Sequence, residues 1–333
     1  MLRTEPEDFQ VDEILGFAAG GEGPHALLQV RKRGANTEWV ARELARAAGV
    51  KPFDVGFAGL KDRHAVTTQH FTVPRGKRPA EEFIGMAGEG FEVLSAAAHQ
   101  RKLPRGALEG NRFAIVVRGI ACDPAALAQR MHHIATGGTP NYFGEQRFGR
   151  EAGNLEQVLR AAQQVAEGQG RRRERRGRDD AGFMLSAARS LIFNALLAER
   201  VRQGTWNRLA VGDVANLDGR GSVFAVEQVD DELEQRCAVL DVHPTAPLAG
   251  AGESLAKGDV LVLEDTVAAR YPEALSVIHA EGMKSERRAL RIRVRGLEHE
   301  YSGDTLHLRF ALSAGSFATT VLREIIAGAA TGE

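Results

Sequence analysis

The sequence predicts mixed α and β structure arranged in two domains, and three observations carry that reading. The chain has 333 residues, and at roughly 100–200 residues per domain two cores suit this length better than one. Short apolar or β-branched runs are interspersed with amphipathic helical stretches through the first third. The run Gly137-Gly138-Thr139-Pro140 then breaks that texture, and regular alternation returns only near residue 289.

In chain order, DFQVDEIL (8–15) and HALLQVR (25–31) read as strands. Asn36 stands ready to cap a helix over Thr37–Ala48, in which Trp39, Val40, Leu44 and Ala47 share a face, and Gly49 ends it. Val55–Ala58 and Val66–Val73 flank the turn Gly59-Leu60-Lys61-Asp62-Arg63, and Phe113–Val117 is a further buried strand. Asp123 precedes a helix with Pro124 at its first position, running to about Ala135. Helices near Asn154–Glu167 and Ala181–Arg202 follow, separated by the arginine-rich connector Arg171–Arg178. Leu290, Ile292 and Val294 alternate with Arg291, Arg293 and Arg295. After the turn Ser302-Gly303-Asp304, Leu306, Leu308, Phe310 and Leu312 alternate with His307 and Arg309. This predicts a two-stranded hairpin with one apolar and one basic face. Ser316 then caps a final helix, Phe317–Ala327.

Composition narrows the class. The chain is 43% hydrophobic and 26% charged, as in ordinary globular proteins. Cys122 and Cys237 form no CxxC pair, which excludes a disulfide framework and argues against a thiolate zinc site. No apolar run approaches the ~18–20 residues that span a bilayer, and the N-terminus lacks the apolar core of a secretory signal. A cytoplasmic location is therefore expected. The net charge of −1 hides an asymmetry: Gly212–Asp265 holds 12 acidic residues against Arg220, Arg236 and Lys257. The remainder is basic and rich in arginine, whose planar fork suits phosphates.

The densest chemical signal is GFAGLKDRHAVTTQ (56–69), in which a carboxylate sits in a glycine turn between two cations, an arrangement that favours its ionised form. On spacing alone such a turn is usually solvated. This segment comes with PEDFQVDEI (6–14), GALEGNRF (106–113), PNYFGEQRFG (140–149), LSAARSLIFNALLAERV (185–201) and AGSFATTVLREII (314–326). Together, in order and over nearly the whole chain, these resemble the TruD family, the pseudouridine synthases that act on uridine 13 of tRNA. Members often carry a longer leader before the EDF motif and continue a little past the last helix.

The resemblance implies an α+β fold. A catalytic domain with a mixed, largely antiparallel sheet (1–136 and 290–333) would be interrupted by an α/β insertion, the TRUD domain (137–289). It places the nucleophile on Asp62 and substrate contacts on Phe9, Asn111 and Phe317, with Arg3, Lys61, Arg63 and Phe113 in supporting roles. Pseudouridine formation breaks the C1′–N1 bond, turns the uracil and rejoins it through C5, so the base must leave its stack. Phenyl faces offset that cost by stacking, worth roughly 1–3 kcal/mol per base. An ionised Asp62 would attack C1′ or remove a sugar proton, with Lys61, Arg63 or Arg3 keeping it charged within an apolar cleft. No cofactor or metal is implied; His132 and His133 are adjacent and face different ways on a helix. tRNA is the expected partner, with no membrane and no obligate protein partner. Its backbone would meet the basic hairpin face, the Arg171–Arg178 connector and the basic 99–118 segment. A non-catalytic RNA binder and a carboxylate-dependent nuclease are the competing classes.

Overall fold

A computed structural model describes residues 4–167 and 178–327. Arg3 and residues 171–177 of the connector lie outside the described residues. The order opens with β1 (Phe9–Ile14), β2 (His25–Arg33), α1 (Thr37–Ala48), β3 (Gly56–Phe57), β4 (Val66–Pro74), β5 (Ala87–Gly88), β6 (Phe91–His99), β7 (Gly110–Arg118) and α2 (Pro124–Gly137). It continues through β8 (Thr139–Pro140), α3 (Gly153–Ala166), α4 (Arg178–Arg202), β9 (Val214–Leu217), β10 (Val223–Ala225), α5 (Asp231–Ala238) and β11 (Val242–Leu248). It ends with α6 (Gly258–Ala268), α7 (Pro272–Ala280), β12 (Glu286–Ala289), β13 (Arg291–Ile292), β14 (Arg295–Ser302), β15 (Thr305–Ser313) and α8 (Ala318–Ala327). Two compact units result. One takes the chain up to Met131 together with Val294–Ser316, the other His132–Arg293 with Phe317–Ile326.

The first unit is built on a mixed sheet of nine strands in the order β14-β15-β7-β1-β4-β2-β6-β5, with β3 paired to β4. Only β1 and β4 run parallel; the remaining pairs are antiparallel. Alternation fixes what each face carries. On β2, Ala26, Leu28, Val30 and Lys32 are all buried, and the first three pack with Phe71 and Val73 of β4 and with Val40 and Leu44 of α1. Gly49, at φ 69°, ends α1 as a left-handed cap. Asn36 sits at the helix start but makes no side-chain capping bond. Asp123 does cap α2, its two carboxylate oxygens accepting the Ala125 and Ala126 N–H groups at 3.1 and 3.2 Å.

The second unit packs α3, α4 and α7 around Ile192, Phe193, Leu196, Leu197, Val277 and Ile278. Beside them lies a four-stranded sheet ordered β10-β9-β11-β12. The acidic segment is not a bare anionic lobe, because four of its twelve carboxylates are paired with arginines. Asp213 pairs with Arg200, Glu264 with Arg287, Asp218 with Arg293 and Asp241 with Arg236, while Asp230 caps α5.

Two expectations are corrected. The hairpin's first strand is Arg295–Ser302, whereas residues 291–292 pair with Thr139–Pro140. Arg291 does not join a solvated basic face: it is 4% exposed, and its guanidinium donates to the carbonyls of Cys237, Val242 and Asn207. Those carbonyls are the acceptors that make a buried arginine tolerable. The final helix groups with the second unit instead of the discontinuous first one. There the Thr320 hydroxyl donates to Tyr142 O (3.1 Å), and the Phe317 ring lies 6.5 Å from that of Phe143.

The Arg200–Asp213 pair is bidentate, at 2.7 and 3.0 Å, with the Asp213 side chain fully buried. Asp213→Ala strands a buried guanidinium and is expected to cost about 3–5 kcal/mol, measured as a drop in the urea midpoint of the second unit; Asp213→Ala with an unchanged midpoint would contradict this.

Candidate active site

A tight glycine turn leaves backbone groups that no strand partner satisfies, and each needs a donor or acceptor from elsewhere. The turn Gly59–Arg63 finds them in side chains from three elements. Gln69 of β4 donates its Nε2 to Gly59 O (2.5 Å). Thr37, the first residue of α1, accepts the Lys61 N–H at 3.1 Å and donates its hydroxyl to Gln69 Oε1 at 3.0 Å. Lys32 of β2 supplies the third tether, its Nζ donating to Asp62 O (2.9 Å), Lys61 O (3.3 Å) and Ala35 O (2.9 Å). Lys32 is 1% exposed. Burial pushes its pKa down to about 8, with the Asp62 charge opposing that shift and the Lys61 charge adding to it.

A fourth tether is ionic. Lys61 reaches the fully buried carboxylate of Glu13 at the end of β1 (2.9 Å). The other Glu13 oxygen accepts the His70 backbone N–H at 3.1 Å. Burial raises the Glu13 pKa, but hydrogen bonding from His70 and the Lys61 charge bring it net below the usual carboxylate value. Across the strand pair, Glu13 stands opposite Asn111 of β7. Asn111 Oδ1 is buried and has no hydrogen-bond partner among the described residues. An orphaned acceptor of this kind costs about 1–3 kcal/mol unless a ligand satisfies it.

The same two strands carry the phenyl rings. Phe9 is 3% exposed and meets Phe113 edge-on at 6.1 Å, and Phe113 lies 5.4 Å from Phe310 of β15. Phe9 is held at the strand start by its neighbour Asp8, a buried carboxylate that takes two bonds from Arg118 at 2.7 and 3.2 Å. That contact spends one cation of the basic 99–118 segment within the fold.

The sequence therefore singled out this turn but not its supports. Asp62 is exposed, and so is Arg63, which donates to Gly34 O at 3.1 Å. The carboxylate is thus not enclosed in an apolar cleft in the free protein, because the turn projects it outward while its backbone is tied down. Lys61 is committed to Glu13, and Arg3 lies outside the described residues. The cation beneath the turn is Lys32, which sequence reasoning missed. A signal existed: Lys32 continues the buried register of Ala26, Leu28 and Val30, a position where a lysine is anomalous.

Phe317 belongs to the second unit and is 37% exposed. The guanidinium carbon of Arg147 lies 5.8 Å from its ring and 5.0 Å from that of Phe143, and Arg147 donates to Ser186 Oγ at 2.9 Å. Phe143 is clamped by Asn194, which accepts its N–H and donates to its carbonyl, both at 2.9 Å. Arg288 stacks over the same ring at 4.1 Å, and burial, with Arg147 beside it, lowers its pKa to about 10. The six motifs thus sort by unit: EDF, GLKDR and GNRF meet on the large sheet, and PNYFGEQRF, LSAARSLIFN and GSFAT meet around Phe143.

Comparison with known proteins bears on the motifs as a set. The family model for TruD, described as tRNA pseudouridine synthase D, matches residues 1–161 and 182–325. The chain is 45% identical to tRNA pseudouridine synthase D of Xanthomonas campestris pv. campestris (strain 8004), over 97% of this chain and 90% of that one. It is 44% identical to the Methylococcus capsulatus protein of the same name, over 98% and 90%. A crystallised Methanosarcina mazei chain described as a putative tRNA pseudouridine synthase D superposes with a TM-score of 0.72 at 26% identity, covering 98% of this chain and 93% of that one. With its motifs, its mixed sheet and its full-length relatives in accord, the chain belongs to the TruD family.

Proposed function

We propose that this chain is a tRNA pseudouridine synthase that isomerises uridine 13, with Asp62 as the nucleophile and the first unit as its catalytic domain. The observation that carries this reading is the turn itself. Its carbonyls and N–H groups are fixed by Lys32, Gln69 and Thr37 while the Asp62 side chain stands exposed. Such an arrangement suits a group that must attack, since holding a nucleophile in position replaces entropy that would otherwise be lost in the transition state. A turn of purely structural value has no need of a buried ammonium beneath it.

The reaction follows from these groups. The target uridine leaves its stack and covers Asp62, which is exposed in the free protein, and shields it from water. The carboxylate attacks C1′ as the C1′–N1 bond breaks. The uracil turns, and C5 forms the new bond to C1′ as the carboxylate departs. The proton on C5 is then lost to solvent and N1, freed of the sugar, takes one up, so the net change is an isomerisation. Asn111 Oδ1 is an acceptor in search of a donor, matching the uracil N3–H or a ribose hydroxyl. Phe9 and Phe113, both buried on the large sheet, form the apolar floor of the site. Phe317, a substrate contact by the family resemblance, lies in the second unit. The tRNA substrate follows from the names of the relatives. Among the described residues no three His, Cys, Asp or Glu side chains come together as a metal site, and no helix is long and apolar enough to cross a membrane.

Asp62→Asn is expected to keep tRNA affinity and to form no pseudouridine, read by mass spectrometry of digested tRNA; residual turnover near wild type overturns the assignment. Asn111→Ala, which removes one hydrogen bond worth about 1–3 kcal/mol, should lower kcat/KM by roughly ten- to a hundredfold. Lys32 generates a pH test. Neutral Lys32 has one donor fewer than its three carbonyl partners require, so kcat/KM should fall above a midpoint near 8. Unfolding does not explain that limb. With its pKa lowered from 10.5 to about 8, the unfolded chain binds the proton more tightly, and this group adds stability as pH rises through that window. Lys32→Met should be slower, fully folded and free of the limb.

A further inference from the structure

We infer that a groove on the first unit, beside the strand that leads into the Asp62 turn, binds an RNA strand by stacking an unpaired base on Phe53 and holding its phosphates with Arg42, Lys102 and Arg105. The inference rests on RNA as the substrate and assigns where part of it lies.

The groove has a volume of about 650 Å³, and those four residues, Phe57 and Glu38 are among those that line it. Phe53 is 72% exposed, so its ring presents a face on which a base can stack. Lys102 stands 5.4 Å from the Phe53 ring and also donates to its carbonyl, so the side chain and its cation form one platform. Arg105 stacks on Phe57 at 3.7 Å, which leaves its planar fork pre-oriented for a phosphate. Three cations and a single carboxylate give the groove the sign that a polyanion requires. Aromatic rings interleaved with cations are the recurrent chemistry of single-strand recognition, because every base offers a face whatever its identity.

The groove is also built to be rigid and continuous with the nucleophile turn. Gly56 lies so close to the 102–105 segment that a Cβ would fall 2.6 Å from Leu103 O and 2.5 Å from Thr72 Oγ1. Only glycine allows the basic segment to lie against β3. The Leu103 N–H donates to Thr72 Oγ1 (2.8 Å), and the Gly106 N–H donates to Ala58 O (2.7 Å), one residue before the turn begins. A strand seated here is thereby held in fixed register with Asp62, five residues along the chain from Phe57. A nucleotide flanking the target fits this placement.

The test uses the full chain and unmodified tRNA. Phe53→Ala should raise Kd and KM by about tenfold, the scale of one lost base stack, while kcat stays within twofold; Phe53→Trp should restore binding. Arg42→Ala combined with Arg105→Ala should reduce the slope of log affinity against log salt by about two. Wild-type affinity and an unchanged salt slope in all of these variants overturn the groove. If the wild-type chain binds tRNA but forms no pseudouridine, the catalytic reading fails by itself. If it forms pseudouridine and the groove variants match it in Kd and KM, only the groove fails.

Discussion

A lysine ammonium buried beneath a backbone turn is the interaction on which the site depends. Removing a charge from water is costly unless polar groups replace the lost solvent. At Lys32 they are three carbonyl oxygens, two of which belong to Lys61 and Asp62. The tie works in both directions: the turn solvates the ammonium, and the ammonium holds the turn. Gln69 and Thr37 complete the frame through a bond to each other as well as to the turn. Displacing Gln69 or Thr37 would leave the other with an unmatched polar atom, and displacing any of the three would free backbone groups of the turn.

Much of this was legible from residue order, but only as far as local pattern reaches. β1, α1, β4 and β7 follow from alternation or helical spacing, and the Asp62 turn follows from its glycine and its flanking strands. Lys32 escaped because the β2 pattern was followed only to Arg31, one residue short of the anomaly. Arg291 misled for a related physical reason. Alternation with apolar neighbours looks the same whether the polar side faces water or a set of carbonyls, and here it faces Cys237, Val242 and Asn207. The burial of Glu13 and the orphaned oxygen of Asn111 are properties of strand pairing between segments about a hundred residues apart. No local signal encodes them.

The charge map shows how composition can overstate a feature. Gly212–Asp265 is acidic by composition, yet four of its carboxylates are matched by Arg200, Arg287, Arg293 and Arg236. In the 99–118 segment Arg118 is likewise withdrawn into a pair with Asp8. What reaches a polyanion is therefore the cations left at the surface, such as Lys102 and Arg105, and not the net charge of a stretch.

The exposure of Asp62 in the free protein has a bearing on selectivity. In the mechanism proposed for Asp62, a carboxylate open to water attacks feebly, so the resting chain would carry little hazard for the many uridines it meets in passing. On that reading, reactivity would arrive only when an RNA of the right contour closes over the oxygen and drives water away. Fidelity is thereby written into the cover rather than the blade: the correct substrate supplies the missing wall of its own reaction chamber.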